Sequence, residues 1–376
     1  MAVTLKPLSD QTIVITGASS GIGLATARRA AREGARVVMV ARNEMALREA
    51  AEAISRSGGK AAWIALDVAE EDAPQRIGAL ADQRFGGFDT WVNDAAVALY
   101  APLMETDMDE HRRVFEVGYF ALVRASRYAV DRLKDRGGAL INVGSVLSER
   151  AISLQGTYSA MKHAVLGFTE ALRTELEGDG VPISVTLIKP TGIDTPYPEH
   201  ARNKLDKPAR IPPIVYDPEL VAKAICFAAS HKKRELTVGG GGFMISGLGN
   251  AMPRMTDLMV ETVFGKPAQT IDTPPEPGAA DNLFEARKDG RERSNKDIYV
   301  RRTSLSLEAQ MRPAATAALV GGAAAALWLL LRPTKLGDGT LNGGAHQADG
   351  TDSSRSWQAG IADEGTIPER EPVAMS

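Results

Sequence analysis

From Thr12 to Val238 short apolar β-type runs and helical patterns take turns without a break, and this alternation constrains the fold more than any other feature of the chain. The strand-like runs are Thr12–Thr16, Arg36–Val40, Ala61–Ala65, Thr90–Asn93, Ala139–Val143, Ile183–Ile188 and Glu235–Val238, each rich in β-branched and aliphatic residues. Helical periodicity fills the gaps, over Leu24–Glu33, Met45–Ser57, Met108–Leu133, Tyr158–Glu177 and Pro218–Ala229. Parallel strands are joined only by crossovers, most often helices, so strands interleaved with helices predict a sheet wrapped on both faces. The expected fold is a doubly wound, Rossmann-like α/β domain with a seven-stranded parallel sheet over residues 9–250.

Beyond residue 250 the regularity fails. An amphipathic helix is expected over 251–264, and Pro267, Pro274, Pro275 and Pro277 then stiffen the chain into a linker or surface strap. Residues 281–312 are mostly charged and polar, and the sequence leaves open whether they pack; 251–312 is read as a C-terminal extension or linker. The uncharged run Ala314–Leu331 lies between Arg312-Pro313 and Arg332-Pro333 and would reach ~27 Å as a helix, which just spans a thin bilayer. A transmembrane helix over 313–332 is therefore expected, the other reading being a buried or interfacial alanine-rich helix. Lys296, Arg301, Arg302 and Arg312 precede the run and only Arg332 and Lys335 follow it closely, so the folded domain would face the cytoplasm. The tail 333–376, rich in Gly, Ser, Asp and Glu, is expected to be disordered.

Charge and composition narrow the function classes. Lys and Arg (44) nearly balance Asp and Glu (47), leaving no basic field for a nucleic-acid backbone. The one cysteine, Cys226, excludes an intramolecular disulfide framework and reads as a small core residue. Five scattered histidines lack metal-ligand spacing, and no metal is expected.

Two constellations carry chemistry. The first strand runs into Thr16-Gly17-Ala18-Ser19-Ser20-Gly21-Ile22-Gly23 and then a helix. Glycines there let the backbone approach a pyrophosphate at the positive end of the helix, although tight turns also want glycine. Strand two ends Val40-Ala41-Arg42, where an acidic residue would accept the ribose hydroxyls of NAD and an arginine would welcome the 2′-phosphate of NADP. Arg42 favours NADP(H), the bland reading being a solvated arginine. Asp67 and Val68 follow strand three, where Asp67 is placed to meet the adenine edge or to cap the next helix. The second constellation is Ser145, just past strand five, with Tyr158 and Lys162 on one face of a helix. A neighbouring ammonium favours the phenolate of Tyr158, and a serine hydroxyl can hold a substrate oxygen as its charge changes. Tyr128 and Arg132 repeat the spacing without a strand-end serine, and His163 reads as a surface or packing residue.

The glycine turn at 16–23, Asn93 after strand four, Ser145, Tyr158-Ser159-Ala160-Met161-Lys162 and Pro190-Thr191-Gly192-Ile193-Asp194-Thr195-Pro196 together resemble the short-chain dehydrogenases/reductases over residues 9–250. The resemblance implies NAD(P)(H) binding, Tyr158 as general acid/base, Lys162 on the nicotinamide ribose and Ser145 orienting the carbonyl. It also implies that Pro190, Ile193 and Thr195 lie at the nicotinamide, that Asn93 supports the cofactor turn, and that 196–214 covers substrate. Pairing through helices 108–133 and 158–177 into a homodimer or homotetramer is implied as well. Two departures stand out: Asp94 and Ala96 where the family usually reads Asn and Gly, and Gly118 where it usually has a helix asparagine that completes a proton relay. Glycine at 118 leaves room in which a water could bond the main chain. The expected activity is an NADP(H)-dependent oxidoreductase interconverting a carbonyl and an alcohol, with a lipophilic substrate if the chain is membrane-tethered. The alternative is an NADP-binding scaffold or redox sensor with little turnover.

Overall fold

The computed structural model describes residues 3–241, 252–274 and 280–331, so the expected disordered tail lies outside the described residues. Seven parallel strands form the main sheet: β1 Thr12–Thr16, β2 Arg36–Ala41, β3 Lys60–Ala65, β4 Thr90–Asn93, β5 Gly138–Val143, β6 Ile183–Pro190 and β7 Glu235–Val238. Their order is β7-β6-β5-β4-β1-β2-β3, with β1 pairing to β2 on one side and to β4 on the other. Every residue of β1, β4, β5 and β6 is buried, as expected of strands covered on both faces. The strand order reverses between β1 and β4, so the crevice at their carboxyl ends is where such a sheet receives ligands.

The helices follow the crossovers: α1 Gly21–Arg32, α2 Glu44–Arg56, α3 Ala73–Phe85, α4 Met108–Phe115, α5 Ala121–Leu133, α6 Gly156–Gly178 and α7 Pro218–Ser230. Asn43 caps α2 through its side chain, and Gly86 ends α3 in the left-handed conformation. The helix expected over 108–133 is interrupted by a π turn, Glu116–Phe120, with the buried Gly118 at its middle. A Cβ at Gly118 would meet Met161 Sδ and Cε of α6 at 2.6 Å, so Met161, itself fully buried, fills the room that glycine was expected to leave for a water.

The extension packs on this domain. Helix α8 spans Pro253–Phe264, and Val300–Arg301 pairs in parallel with Val215–Tyr216, which pairs in turn with Gly192–Ile193. Helix α9, Leu305–Met311, buries Leu307 and Met311 in the core beneath β7. The Gln310 amide donates to Thr237 O at 2.9 Å and its Oε1 accepts the Thr237 N–H at 2.8 Å. Residues 1–322 form one compact unit, and a second begins at Ala323.

The run read as a membrane span does form a helix, α10 Pro313–Leu331, but no helix among the described residues is long and apolar enough to cross a membrane. Alanine is its commonest residue, and Gly321 and Gly322 stand near its centre, which dilutes the drive its leucines supply. The transmembrane expectation is corrected on this point, and the orientation argued from flanking charges falls with it.

Candidate active site

One cleft opens at the carboxyl ends of β1, β2, β4, β5 and β6. Its floor at the glycine turn depends on missing side chains. Gly17 has φ +76° and a Cβ there would sit 3.0 Å from the Ala95 backbone, while a Cβ on Gly23 would meet Gly17 O at 2.3 Å. Gly17, Ser19, Ser20, Gly21 and Ile22 line the cleft. Gly23 sits behind that lining and lets α1 pack against the turn. Arg42, Asp67, Val68, Pro190, Ile193 and Thr195 also line it.

Asn93 does not. Its amide donates to Asn142 Oδ1 at 2.9 Å and Ser126 Oγ at 3.2 Å, and its Oδ1 accepts from Trp91 Nε1, so it ties β4 to β5 and α5 inside the core. Asp67 does not cap α3, whose cap position is Asp72. Its carboxylate pairs with Arg113 and lies 3.9 Å from Arg42. Although burial opposes ionisation, the Ala69 N–H and the two arginines hold the Asp67 carboxyl below its ordinary value.

Ser145, Tyr158 and Lys162 converge on the same cleft. Ser145 follows β5 and starts a short helical turn, where its Oγ accepts the Leu147 N–H at 3.0 Å and is hydrogen-bonded to the Tyr158 hydroxyl. The Lys162 ammonium donates to Val143 O at 2.6 Å and stands 5.6 Å from the centre of the Tyr158 ring. Tyr128 and Arg132, the decoy pair, bond each other at 2.8 Å against Phe88 and Trp91 in the core. His163 is exposed and bonds the Ser159 carbonyl of its own helix.

Asp94 belongs to the site, and sequence reasoning gave it too little weight. It lines the cleft, accepts the Gly23 N–H, and its charge acts on both Lys162 and Tyr158. Burial pushes the Tyr158 phenol up and the Asp94 charge pushes it further, while the Ser145 hydrogen bond lowers it. Burial lowers Lys162 and raises Asp94, and each charge favours the other. The lowering of the phenol expected from Lys162 is therefore not what is found: burial and the Asp94 charge set the direction, and it is upward. The departure from asparagine at 94 was the signal that could have found this.

The far end of the cleft is apolar, with Val97, Leu147, Ile152, Ile214, Val260 and Phe264 around Tyr158 and Tyr197. Val260 and Phe264 come from α8, so the extension completes this end. Cys226 is buried among core side chains of α7, and burial pushes its thiol up.

Residues 11–206 match the family described as short chain dehydrogenase. The chain belongs to this family. It is an oxidoreductase of the short-chain dehydrogenase type with a Rossmann-like sheet, and 44% identical over 321 residues to the uncharacterized oxidoreductase YxnA of Bacillus subtilis, covering 85% of this chain and 90% of that one. A match of that length in 376 residues necessarily includes the extension to about residue 320. The 3beta-hydroxysteroid dehydrogenase of Mediterraneibacter gnavus is 35% identical over 193 residues, 51% of this chain and 69% of its own. Among solved structures, L-sorbose reductase from Gluconobacter frateurii, complexed with NADPH and L-sorbose, superposes with a TM-score of 0.55 at 28% identity, covering 64% of this chain and 98% of its own. Nearly the whole of that reductase thus superposes on about two thirds of this chain.

Proposed function

We propose that this short-chain dehydrogenase is an NADP(H)-dependent enzyme that interconverts a carbonyl and an alcohol on an apolar substrate, with Ser145, Tyr158 and Lys162 as its catalytic residues. The convergence of these three side chains on a cleft floored by the glycine turn carries the reading. The cradle fits a dinucleotide: Gly17 and Gly23 leave no room for side chains, the start of α1 faces the cleft, and Arg42 stands at the end of β2. The NADPH bound to L-sorbose reductase supports the choice of cofactor. When bound, the cofactor supplies or accepts the hydride.

The chain's own residues handle the proton. In the reducing direction the Tyr158 hydroxyl passes its proton to the carbonyl oxygen while the Ser145 hydroxyl donates to the same oxygen and orients it. Lys162, fixed by Val143 O, holds a positive charge beside the phenol that stabilises the tyrosinate left behind. The apolar far end, closed by Val260 and Phe264, favours a lipophilic substrate over a sugar. The catalytic domain proper is residues 9–250, with the extension as its cover. Pairing of copies through α4, α5 and α6 is consistent with the exposed Met108 and Phe120.

A rival reading, a cofactor-binding protein with little turnover, is favoured by Met161 in the space beside Gly118. Following NADPH consumption over a panel of aliphatic, alicyclic and steroid ketones and aldehydes decides between them. Turnover on an apolar carbonyl is the expected result, and binding of NADPH without turnover on any of them selects the rival.

Asp94→Asn, which restores the family's residue, tests the electrostatics. Removing a negative charge that raises the Tyr158 phenol lowers it, so tyrosinate forms at lower pH. The rising limb of alcohol oxidation and the falling limb of carbonyl reduction are both expected to move to lower pH in the variant. Identical pH profiles of kcat/KM would show that Asp94 is uncharged in the working enzyme.

A further inference from the structure

The segment 280–294 crosses the cleft, and nothing in the family resemblance accounts for it. At one wall its backbone is held by the cofactor-binding turns. The Gly21 N–H at the start of α1 donates to Arg291 O at 2.8 Å, Asn43 Nδ2 donates to Arg287 O at 2.8 Å, and the Arg42 guanidinium donates to the carbonyls of Phe284, at 2.9 Å, and Asn282. Gly290 presses close enough that a Cβ would lie 2.7 Å from Ala46 Cβ and 3.3 Å from Ser19 O. At the other wall it is pinned to the substrate loop. The Asn282 N–H donates to His200 O at 2.7 Å, Ser294 Oγ donates to Asp194 at 2.6 Å, and Arg291 pairs with Glu199 at 2.7 Å. Leu283, fully buried with Val97 and Val114, anchors it between the two.

The strap spans the cleft without filling it. Asn282, Ala286, Arg287 and Asp289 line the same cavity as Ser19, Asp67, Val68 and Tyr158, so open space lies between strap and floor. Asn282 Oδ1 is buried in this wall without a hydrogen-bond partner, an acceptor that a ligand donor in the cleft would satisfy. Most of the side-chain fastenings are charged: Arg28 with Glu292 at 2.8 Å, Arg293 with Asp217 at 2.8 Å, and Asp289 with His200 at 2.9 Å. Burial would raise the Asp289 carboxyl, but hydrogen bonds from His200 and Arg291 hold it well below the ordinary range, so Asp289 is a carboxylate at neutral pH.

We propose that residues 280–294 form the outer wall of the adenosine side of the dinucleotide site, and that the cofactor enters and leaves only when this wall is unfastened from Asp194 and Glu199. The proposal rests on the dinucleotide reading given above. It makes the cofactor slowly exchanging and its release, instead of hydride transfer, the step most sensitive to salt.

The test uses the full-length protein and a stopped-flow chase of bound NADPH, read by its fluorescence. Arg291→Ala with Ser294→Ala removes two fastenings whose side chains lie outside the cleft lining. The dissociation and association rates are both expected to rise about tenfold or more, because the same wall must open for entry and for exit. An unchanged dissociation rate overturns the proposal. So does a faster association with unchanged dissociation, because the segment would then be a plug occupying the cofactor's place. Should the double variant fold poorly, the wild type gives the same answer: its dissociation rate is expected to increase with salt, and a salt-independent rate refutes the wall. A protein that binds neither NADPH nor NADH refutes both the dinucleotide reading and the wall. A preference for NADH refutes only the assignment of Arg42, and NADH dissociation rates then decide the strap.

Discussion

Tyr158→Phe is expected to cut turnover by about 10²–10⁴-fold, the range for loss of a general acid/base, while NADPH binding stays close to wild type. The structure makes this a clean substitution. The Tyr158 ring packs edge to face on Tyr197 with centroids 5.5 Å apart, and the Lys162 ammonium lies over it, so phenylalanine keeps both ring contacts. Only the hydroxyl and its hydrogen bond with Ser145 are lost. Steady-state kcat and a direct NADPH titration, run side by side, separate the two effects. Near wild-type kcat in the variant would remove Tyr158 from the mechanism, and equal loss of binding and turnover would assign it a structural role.

Arg42→Asp is expected to shift cofactor preference toward NADH by about 2 kcal/mol or more, some thirtyfold in the ratio of kcat/KM values, because attraction to a 2′-phosphate becomes repulsion. Two complications are visible and the ratio disposes of both. Arg42 also holds the carbonyls of Asn282 and Phe284, and an aspartate there would stand close to Asp67. Both effects fall on NADPH and NADH alike, so they cancel when the two cofactors are compared in one variant. A wild type that already prefers NADH would show that Arg42 serves the strap alone.

Much of this could be read before any coordinates, and the reason is physical. Strands such as Thr12–Thr16 and Ile183–Pro190 are covered on both faces, so their sequences are rich in β-branched and aliphatic residues with sharp ends, and their expected bounds lie within two residues of the observed ones. The convergence of Ser145, Tyr158 and Lys162 on one cleft is legible in the sequence because spacing along one helix and placement at a strand end are local properties. The π turn at Glu116–Phe120 escaped because the packing of Met161 against Gly118, a long-range contact, has no local signature. Asn93 was assigned to the cofactor because its network with Asn142, Ser126 and Trp91 joins residues far apart in sequence. The extension was opaque for a related reason. Its segment 280–294 is held by ion pairs and by arginine and asparagine side chains bonding to main-chain carbonyls, contacts that impose no hydrophobic period.

The pairing of Gln310 with Thr237 has a consequence for how copies of this protein meet. A strand at the end of a sheet offers a row of unused donors and acceptors that invites another chain to add to it. In β7 the outward N–H and C=O of Thr237 are both taken by one glutamine amide, which imitates the peptide group of an absent neighbour. Helix α9 thereby shields this margin from within the same polypeptide, and self-association by continuation of the sheet from one molecule into the next is closed off at this edge.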